Sequence, residues 1–414
     1  MDVVLASLTL FALVGGHIQL WVAAVNRLHG FAVPRREKHL LTAGQFAAMG
    51  LMFLGAVGWG IATGFTPTHW GVWFALPTAT QAYLVLCLAA TAAGTVQWLR
   101  RLARRNPPCQ QAMRREHVRE LIPRPVKTTG RGRWLHLPGN EILALAVVRR
   151  TLEVPRLPAA LEGLSLVHLS DTHFTGIVPR RYFEAAVERC NRLQPDLVAV
   201  TGDLVDREGC IDWVEATLGR LRARLGVYVI LGNHDRAVDH QRLRRKLGKA
   251  GLTDLGGRWI EVEAGGHSIL LAGNELPWFG PAADLSGAPA TDLAILLAHS
   301  PDQLGWARRR QFDLMLAGHN HGGQIRIPPI GPVFSPSLHG VFYSDGLFAA
   351  PPTILHVSRG LSAKFPVRLG CPPEITHLIL TTAAPARERG VATVVPAAVA
   401  GAGQLTDAAI VSQR

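Results

Sequence analysis

From Leu40 to Leu99 the chain carries no Asp, Glu, Lys or Arg, and the run from Val3 to Asn26 is equally free of charge. A helix crosses the ~30 Å hydrocarbon core of a bilayer with ~20 apolar residues. Interior helices of soluble domains rarely stay apolar on every face for so long, so these runs predict membrane spans. Gly64-Phe65-Thr66-Pro67-Thr68-His69 forms a turn that divides the longer run. Three spans follow, at about 3–25, 40–63 and 72–99, within a membrane region 1–99. Met1-Asp2 offers no basic n-region and no small-residue cleavage site precedes Asn26, so the first span reads as a retained anchor rather than a cleaved signal peptide. The spans hold no Asp, Glu, Lys or Arg to mark an ion path, which argues against a transporter. His17 and Gln19 in the first span are expected to hydrogen-bond between helices.

Basic residues orient the spans. Arg27, Arg35, Arg36 and Lys38 follow the first span, and Arg100, Arg101, Arg104, Arg105, Arg114, Arg115 and Arg119 follow the third, while the loop between the second and third has none. Lys and Arg are retained on the cytoplasmic side, so everything after Leu99 is expected on the cytoplasmic face of the inner membrane. Trp21 and Trp98 at the basic ends, and Trp70 and Trp73 at the neutral turn, fit interfacial belts. Arg35-Arg36 before an apolar stretch can also be read as an export signal, which leaves the outer face as the alternative. Much of the net charge of +13 lies in residues 100–133, read as a basic juxtamembrane linker, so anionic lipid headgroups rather than nucleic acid are the expected partner. The five cysteines show no CxxC spacing and suggest neither a zinc ribbon nor a disulfide framework.

A soluble domain is expected at 134–382. From Leu164 onward short Val/Ile/Leu runs alternate with amphipathic stretches at Arg180 to Leu193, Trp213 to Ala223 and His240 to Ala250, the pattern of an α/β domain. Residues 383–414 dissolve into Ala, Gly, Pro, Val and Thr and read as a disordered tail.

Five apolar runs end in the same polar punctuation. They are Leu164 to Leu169 before Ser170-Asp171-Thr172-His173, Leu197 to Val200 before Gly202-Asp203, Val227 to Leu231 before Gly232-Asn233-His234-Asp235, Ala294 to Ala298 before His299, and Leu314 to Ala317 before Gly318-His319-Asn320-His321. Open α/β sheets gather ligands outside the carboxyl ends of their strands, so the five ends are expected to converge on one site. Singly each motif is common; it is their number and order that carry the reading. Asp171, His173, Asp203, Asn233, His299, His319 and His321 exceed the four ligands of a structural zinc. Two divalent metals that share Asp203 would use them all, ~3.5 to 4 Å apart, a spacing suited to clamping a phosphoryl group. Mixed oxygen and imidazole donors suit manganese, iron or zinc. His234, beside a candidate ligand, can titrate near neutrality and serve as a proton donor.

The series SDTHF, TGDLVD, LGNHD, LAHSPD and AGHNHGGQI resembles the calcineurin-like metallophosphoesterase superfamily, in particular its bacterial membrane-linked branch, and Val357-Ser358-Arg359-Gly360 with Arg368 to Glu374 resembles its C-terminal signature. The resemblance implies a four-layer sandwich of two mixed β-sheets flanked by helices, here preceded by three transmembrane helices. It implies one metal on Asp171, His173, Asp203 and His321, a second on Asp203, Asn233, His299 and His319, and a metal-bridging hydroxide as nucleophile. His234 becomes the proton donor or phosphate contact and Asp206 the carboxylate that orients it. For Arg207 a phosphate contact and a solvated loop position both stay open. Gly322-Gly323-Gln324 is expected to let backbone pass close to the metals, and Arg242, Arg244, Arg245, Lys246 and Lys249 to form a solvated face or to rest on headgroups.

The expected function is metal-dependent hydrolysis of a phosphodiester or pyrophosphate bond at the membrane. A lipid-linked nucleotide such as UDP-2,3-diacylglucosamine is one candidate substrate. The alternatives are a protein phosphomonoesterase acting on a membrane partner and a non-catalytic metal-binding scaffold.

Overall fold

A computed structural model describes residues 2–63, 74, 76–103, 109–117 and 130–382. The disordered tail expected at 383–414 lies outside the described residues, as do most of the turn around Pro67 and both Trp70 and Trp73. The first two predicted spans lie within helices α1 (Asp2–Gly30) and α2 (Arg35–Thr63). The third helix, α3, runs Thr78–Leu102 and is preceded by Pro77, whose fixed φ suits the entry to a helix. All three are long and apolar enough to cross a membrane. They pack through small and polar groups. Gly16 lies so close to the Cys87 carbonyl that a Cβ would sit 1.8 Å from it, and the Thr91 hydroxyl donates to the Ala12 carbonyl at 2.5 Å. His17 Nδ1 lies 2.7 Å from the Tyr83 hydroxyl, the interhelical bond expected of it.

The rest of the chain builds two main sheets. Strands β1 (Cys109–His117), β2 (Ala144–Val154), β3 (Ser165–Leu169), β4 (Leu197–Thr201), β5 (Val227–Ile230) and β6 (Thr253–Asp254) are followed by β7 (Trp259–Ala264), β8 (His267–Asn274), β9 (Leu293–Ala298) and β10 (Leu314–Ala317). After the short hairpin β11 (Arg326–Ile327) and β12 (Gly331–Pro332) come β13 (Gly346–Ala350), β14 (Thr353–Val357) and β15 (Glu374–Thr382). The first sheet has the order β1-β2-β15-β3-β4-β5-β6 and the second β13-β14-β10-β9-β8-β7. Both are mixed: β3, β4, β5 and β6 run parallel, as do β8, β9, β10 and β14, whereas β15 is antiparallel to β3 and β13 to β14. The sequence gives no sign of β1, which lies inside the stretch 100–133 and pairs with β2.

Side-chain alternation with period two sets the layers. Leu166 of β3, Leu197 of β4 and Ile230 of β5 meet Ile295 and Leu297 of β9 and Leu314 and Leu316 of β10 in a core between the two sheets. The alternate residues, Val167, Leu169, Val198, Val200 and Val229, face a second core with Tyr182, Phe183 and Val187 of the helix Arg180–Arg192 and Leu243 and Leu247 of the helix His240–Lys249. On the other side Leu296, Ala298, Met315 and Ala317 pack against Leu304 and Ala307 of the helix Leu304–Arg309. Three cores separate four layers, helices, sheet, sheet and helix, and each fully buried Leu or Ile contributes ~1.5–3 kcal/mol. The amphipathic stretch Trp213 to Ala223 is α-helical only over Trp213–Ala216 and continues as a 3-10 turn at Leu218–Arg220, because Thr217 between them turns away at φ −120, ψ −94 with its hydroxyl donating to the Trp213 carbonyl.

The basic helix His240–Lys249 is occupied within its own domain. Arg242 pairs with Glu208 and Asp212, Arg244 with Asp254 and Glu275, and Lys246 with Asp212 and Glu215.

Candidate metal centre

The loops that leave β3, β4, β5, β9 and β10 meet at one edge of the sandwich. They are tied to each other before any ion is considered. The Asp171 amide donates to the Gly202 carbonyl, the His173 amide to the Asp203 carbonyl, and the Gly318 amide to the His299 carbonyl, each at 2.9 Å. Asp171, His173, Asp203, His319 and His321 all adopt left-handed backbone conformations, with φ of 52, 42, 55, 71 and 48. Each costs a non-glycine residue roughly 1–2 kcal/mol, and such strain collects where a site requires a particular side-chain direction.

Three groups of side chains result, of which His173, Asp206 and His234 are joined by hydrogen bonds and the other two share Asp203. Asp171, His173, Asp203 and His321 could hold one metal ion, and Asp203, His299 and His319 another. Asp203 is common to both, and its oxygens divide between them. Oδ2 lies 3.5 Å from His173 Nε2 and Oδ1 lies 3.3 Å from His299 Nε2. In the first group His173 Nε2 and His321 Nε2 are 3.2 Å apart and His321 Nε2 is 3.7 Å from Asp171 Oδ1. In the second, His299 Nε2 lies 3.1 Å from both His319 Nδ1 and Asn233 Oδ1. Donors about 2.1 Å from a tetrahedral cation are roughly 3.4 Å from one another, so these separations suit an ion. Where the far-side nitrogen of each ring carries the proton, the facing lone pairs repel one another unless a cation lies between them.

Hydrogen bonds on the far side of each ring select the tautomer. His173 Nδ1 donates to Asp206 Oδ2 at 2.6 Å and His299 Nδ1 to the Thr201 carbonyl at 2.8 Å, which leaves both Nε2 lone pairs for a ligand. Asp206 also accepts from His234 Nδ1 through Oδ1, again at 2.6 Å, so one carboxylate fixes two imidazoles. The His234 amide donates to Asp203 Oδ1 at 2.8 Å, and its side chain stays 23% exposed where His173 and His299 are closed off. The open side of the centre is therefore lined by His234 and by His321, 14% exposed. Arg207 is exposed, and its guanidinium donates to the Thr175 carbonyl at 3.3 Å.

Electrostatics follow from this packing. Burial opposes charge on His173, yet Asp206, Asp203 and Asp171 outweigh it and raise its pKa to about 9. His299 likewise rises to about 9, with Asp203 the principal partner acting against burial. Burial pushes against ionisation of Asp206 too, but His173 and His234 hold it far below the usual carboxylate range.

Several contributors have no clear mark in the sequence. Asp235 accepts from the Leu204, Val205 and Gly232 amides, and burial with Asp203 nearby pushes its carboxyl up to about 7. Its place in GNHD was visible, its partners were not. Trp278 lays its ring against His299 and His319, with centroids 5.3 and 4.8 Å away. Arg368, fully buried, donates to the Arg359 and Ser362 carbonyls behind His321. Gly232 crowds the centre, where a Cβ would stand 2.3 Å from Asp203 Oδ1, and Gly318 does the same on the other side, 2.5 Å from Asp171 Oδ2. Gly322 and Gly323, which follow the candidate ligand His321, have no room for a Cβ, which would stand 2.6 Å from Cys371 Sγ and 2.2 Å from Pro332 Cβ respectively.

Comparison with known proteins places the chain in a family. The family described as Calcineurin-like phosphoesterase matches residues 164–323. The chain is 32% identical over 330 residues to the "Transmembrane protein with metallophosphoesterase domain" of Bos taurus, covering 74% of this chain and 73% of that protein. It belongs to the calcineurin-like phosphoesterase family. Phosphodiesterase YaeI of Escherichia coli is 30% identical over 52% of this chain and 81% of its own length. "UDP-2,3-diacylglucosamine pyrophosphatase LpxG" of Chlamydia muridarum is 24% identical over 58% of this chain and 91% of its own. This calcineurin-like phosphoesterase is a metal-dependent phosphoric ester hydrolase, built on the mixed-sheet sandwich that the sequence implied and carrying three helices able to span a membrane.

Proposed function

We propose that the protein hydrolyses a phosphodiester or pyrophosphate bond at the cytoplasmic surface of the inner membrane. The observation that carries this reading is the divided Asp203 carboxylate, one oxygen toward each group of imidazoles. One divalent ion would be held by Asp171, His173, Asp203 and His321, the other by Asp203, Asn233, His299 and His319. When bound, such a pair supplies positive charge to the phosphoryl oxygens and acidifies water.

The protein's own groups do the rest. His234 stands on the open side with Nδ1 held by Asp206, so its Nε2 is presented outward and can give a proton to the leaving oxygen. Trp278, against the back of His299 and His319, keeps water away from that flank and fixes both rings. The orientation rests on the basic residues at the spans' ends, with anionic headgroups as their partners. The name of the chlamydial relative makes a lipid-linked nucleotide a candidate substrate.

The test is metal-dependent hydrolysis of bis-p-nitrophenyl phosphate beside p-nitrophenyl phosphate by the full chain in detergent with manganese, with Asp203→Asn as control. Faster cleavage of the diester, lost in the variant, supports the reading. Turnover of the monoester alone would transfer the protein to the phosphomonoesterases.

A further inference from the structure

Among the described residues of 132–382, the exposed large apolar side chains are Ile325, Ile327, Ile330, Phe334, Leu338 and Phe365. Single exposed apolar residues are ordinary, but a domain that gathers all of them in one place marks an interaction surface. Here they are gathered. Five follow one another along the hairpin β11–β12 and the loop after it. The sixth is drawn beside them, because Gln324 Nε2 donates to the Phe365 carbonyl at 2.6 Å. Residues 327–344 include no Asp, Glu, Lys or Arg, and Arg326 just before them is paired with Asp345. The turn is also poor in backbone donors, since Pro328, Pro329 and Pro332 carry no N–H. Few polar groups would therefore be left unsatisfied where water is scarce.

The same segment seats the ends of two apolar helices. Asn26, almost fully buried near the end of α1, donates from Nδ2 to the Val333 carbonyl at 3.4 Å and accepts from the Ser335 amide at 3.0 Å. Gly30 presses on the loop, where a Cβ would meet the Leu338 amide nitrogen at 2.9 Å, and the His29 ring lies 5.6 Å from that of Phe334. At the end of α3 the Arg101 guanidinium lies over Gly331, where a Cβ would stand 2.7 Å from Nη1. The charge-free runs of α1 and α3 stop at Asn26 and Leu99, so Asn26 and Arg101 mark the level at which hydrocarbon gives way to headgroups. A segment hydrogen-bonded to one and packed under the other shares that level.

Resting on the reading that the three helices span a membrane, we propose that the hairpin β11–β12, the loop 333–338 and Phe365 form a second membrane-binding face, set into the interface of the monolayer in which α1 and α3 end. The occupant is the bilayer, because this face continues the apolar surface of helices that the bilayer already surrounds. Interfacial segments of this kind sit about 5–10 Å into the boundary between headgroups and acyl chains. Trp134, its ring 5.6 Å from that of Phe365 and the Arg133 guanidinium 5.3 Å from its centroid, supplies the aromatic and cationic rim that suits such a depth. The face is joined to the metal centre at two points. Gly322-Gly323-Gln324 connects the hairpin directly to the candidate ligand His321. Ser337 donates to Asp302 Oδ1 at 2.5 Å and the Leu338 amide to Asp302 Oδ2 at 3.1 Å, on the segment that follows His299. The centre is thereby held at a fixed height over the lipid instead of swinging on the basic segment 100–133.

The test places one new cysteine at a time in the full chain, labels it with the fluorophore NBD, and reconstitutes the protein in phosphatidylcholine nanodiscs with and without nitroxide-bearing lipid. Wild type carried through the same labelling gives the background of the native thiols. The positions are Ile330→Cys on the turn, Leu54→Cys on the exposed side of α2, and Arg192→Cys. Arg192 is exposed at the end of the helix Arg180–Arg192, beside the amino end of β4 and so at the edge opposite the metal centre. The label at 330 is expected to emit to the blue of that at 192 and to be quenched at least about twofold by a nitroxide near the glycerol end of the acyl chain, and less by one near the methyl end. Should Ile330→Cys fail to fold, Ile327→Cys is read in the same way. Quenching no greater than at Arg192→Cys overturns the proposal. A blue shift without quenching overturns it too, because protein, a second copy or a partner, would then cover the face. Absence of quenching at Leu54→Cys by either nitroxide removes instead the membrane reading on which the proposal rests.

Discussion

Gly232→Ala adds one carbon and removes no candidate ligand, which makes it a test of the centre's geometry alone. Gly232 sits at φ −116, ψ −177, extended backbone open to alanine, so no conformational penalty confuses the result. The new Cβ would stand 2.3 Å from Asp203 Oδ1, 2.5 Å from the Asp203 amide nitrogen and 2.6 Å from His299 Cε1. Ordinary contact needs about 3.5 Å, so Asp203 or His299 must retreat by roughly 1 Å. A displacement of that size costs about 10²-fold in rate, and the overpacking costs about 1–3 kcal/mol. The measurements are bound metal after gel filtration, the rate on bis-p-nitrophenyl phosphate, and the thermal midpoint. Gly248→Ala, in the helix His240–Lys249 with nothing within 4 Å of its new carbon, is the comparison and should gain up to about 1 kcal/mol with its rate unaltered. If Gly232→Ala keeps its metal and a rate within twofold of wild type, Asp203 and His299 are not placed as argued.

Other expectations follow from the same contacts. Asp206→Asn offers one acceptor where two imidazoles each need one, so metal affinity should fall about 10- to 100-fold, and isothermal titration with manganese reads it directly. His173 and His299, raised to about 9 without an ion, must lose protons to bind one. Proton release on metal addition near pH 7 and an apparent affinity that climbs with pH until about 9 are expected, checked by titration in buffers of different ionisation enthalpy. In the ion-free protein the same charge stabilises the fold below pH 6.5 and its contribution fades as pH rises through about 9. His168 has the opposite sign. Burial between the sheets, against His356 at 2.8 Å, lowers it to about 3, so the unfolded chain binds the proton first and stability falls as pH drops from 6.5 toward 3. Melting midpoints across that window, in wild type and His168→Gln, should diverge in slope, and parallel slopes would refute the assignment.

Much of this protein was legible along the chain because its signals are local. The charge-free runs gave the three helices, since a bilayer imposes length and composition on a single segment. The runs ending at Leu169, Val200, Leu231, Ala298 and Ala317 became strands, and the sequence of motifs after them located one edge of the sandwich. What lay beyond reach depends on partners far apart in sequence. No spacing says that Asp206 serves both His173 and His234, that Trp278 covers His299 and His319, or that Thr217 ends a helix early. The strand Cys109–His117 forms because β2 offers it a hydrogen-bonding edge, a property of the sheet rather than of its own polar residues. The pKa values are likewise set by burial and by charges brought from other loops. The seating of Asn26 on Val333 and Ser335 joins residues more than three hundred positions apart. Sequence alone therefore determined which groups could do the chemistry and which segments could enter a membrane. Tertiary structure decided that the two meet at one face, because only packing in three dimensions can place the end of a membrane helix against the loop beside a candidate metal ligand.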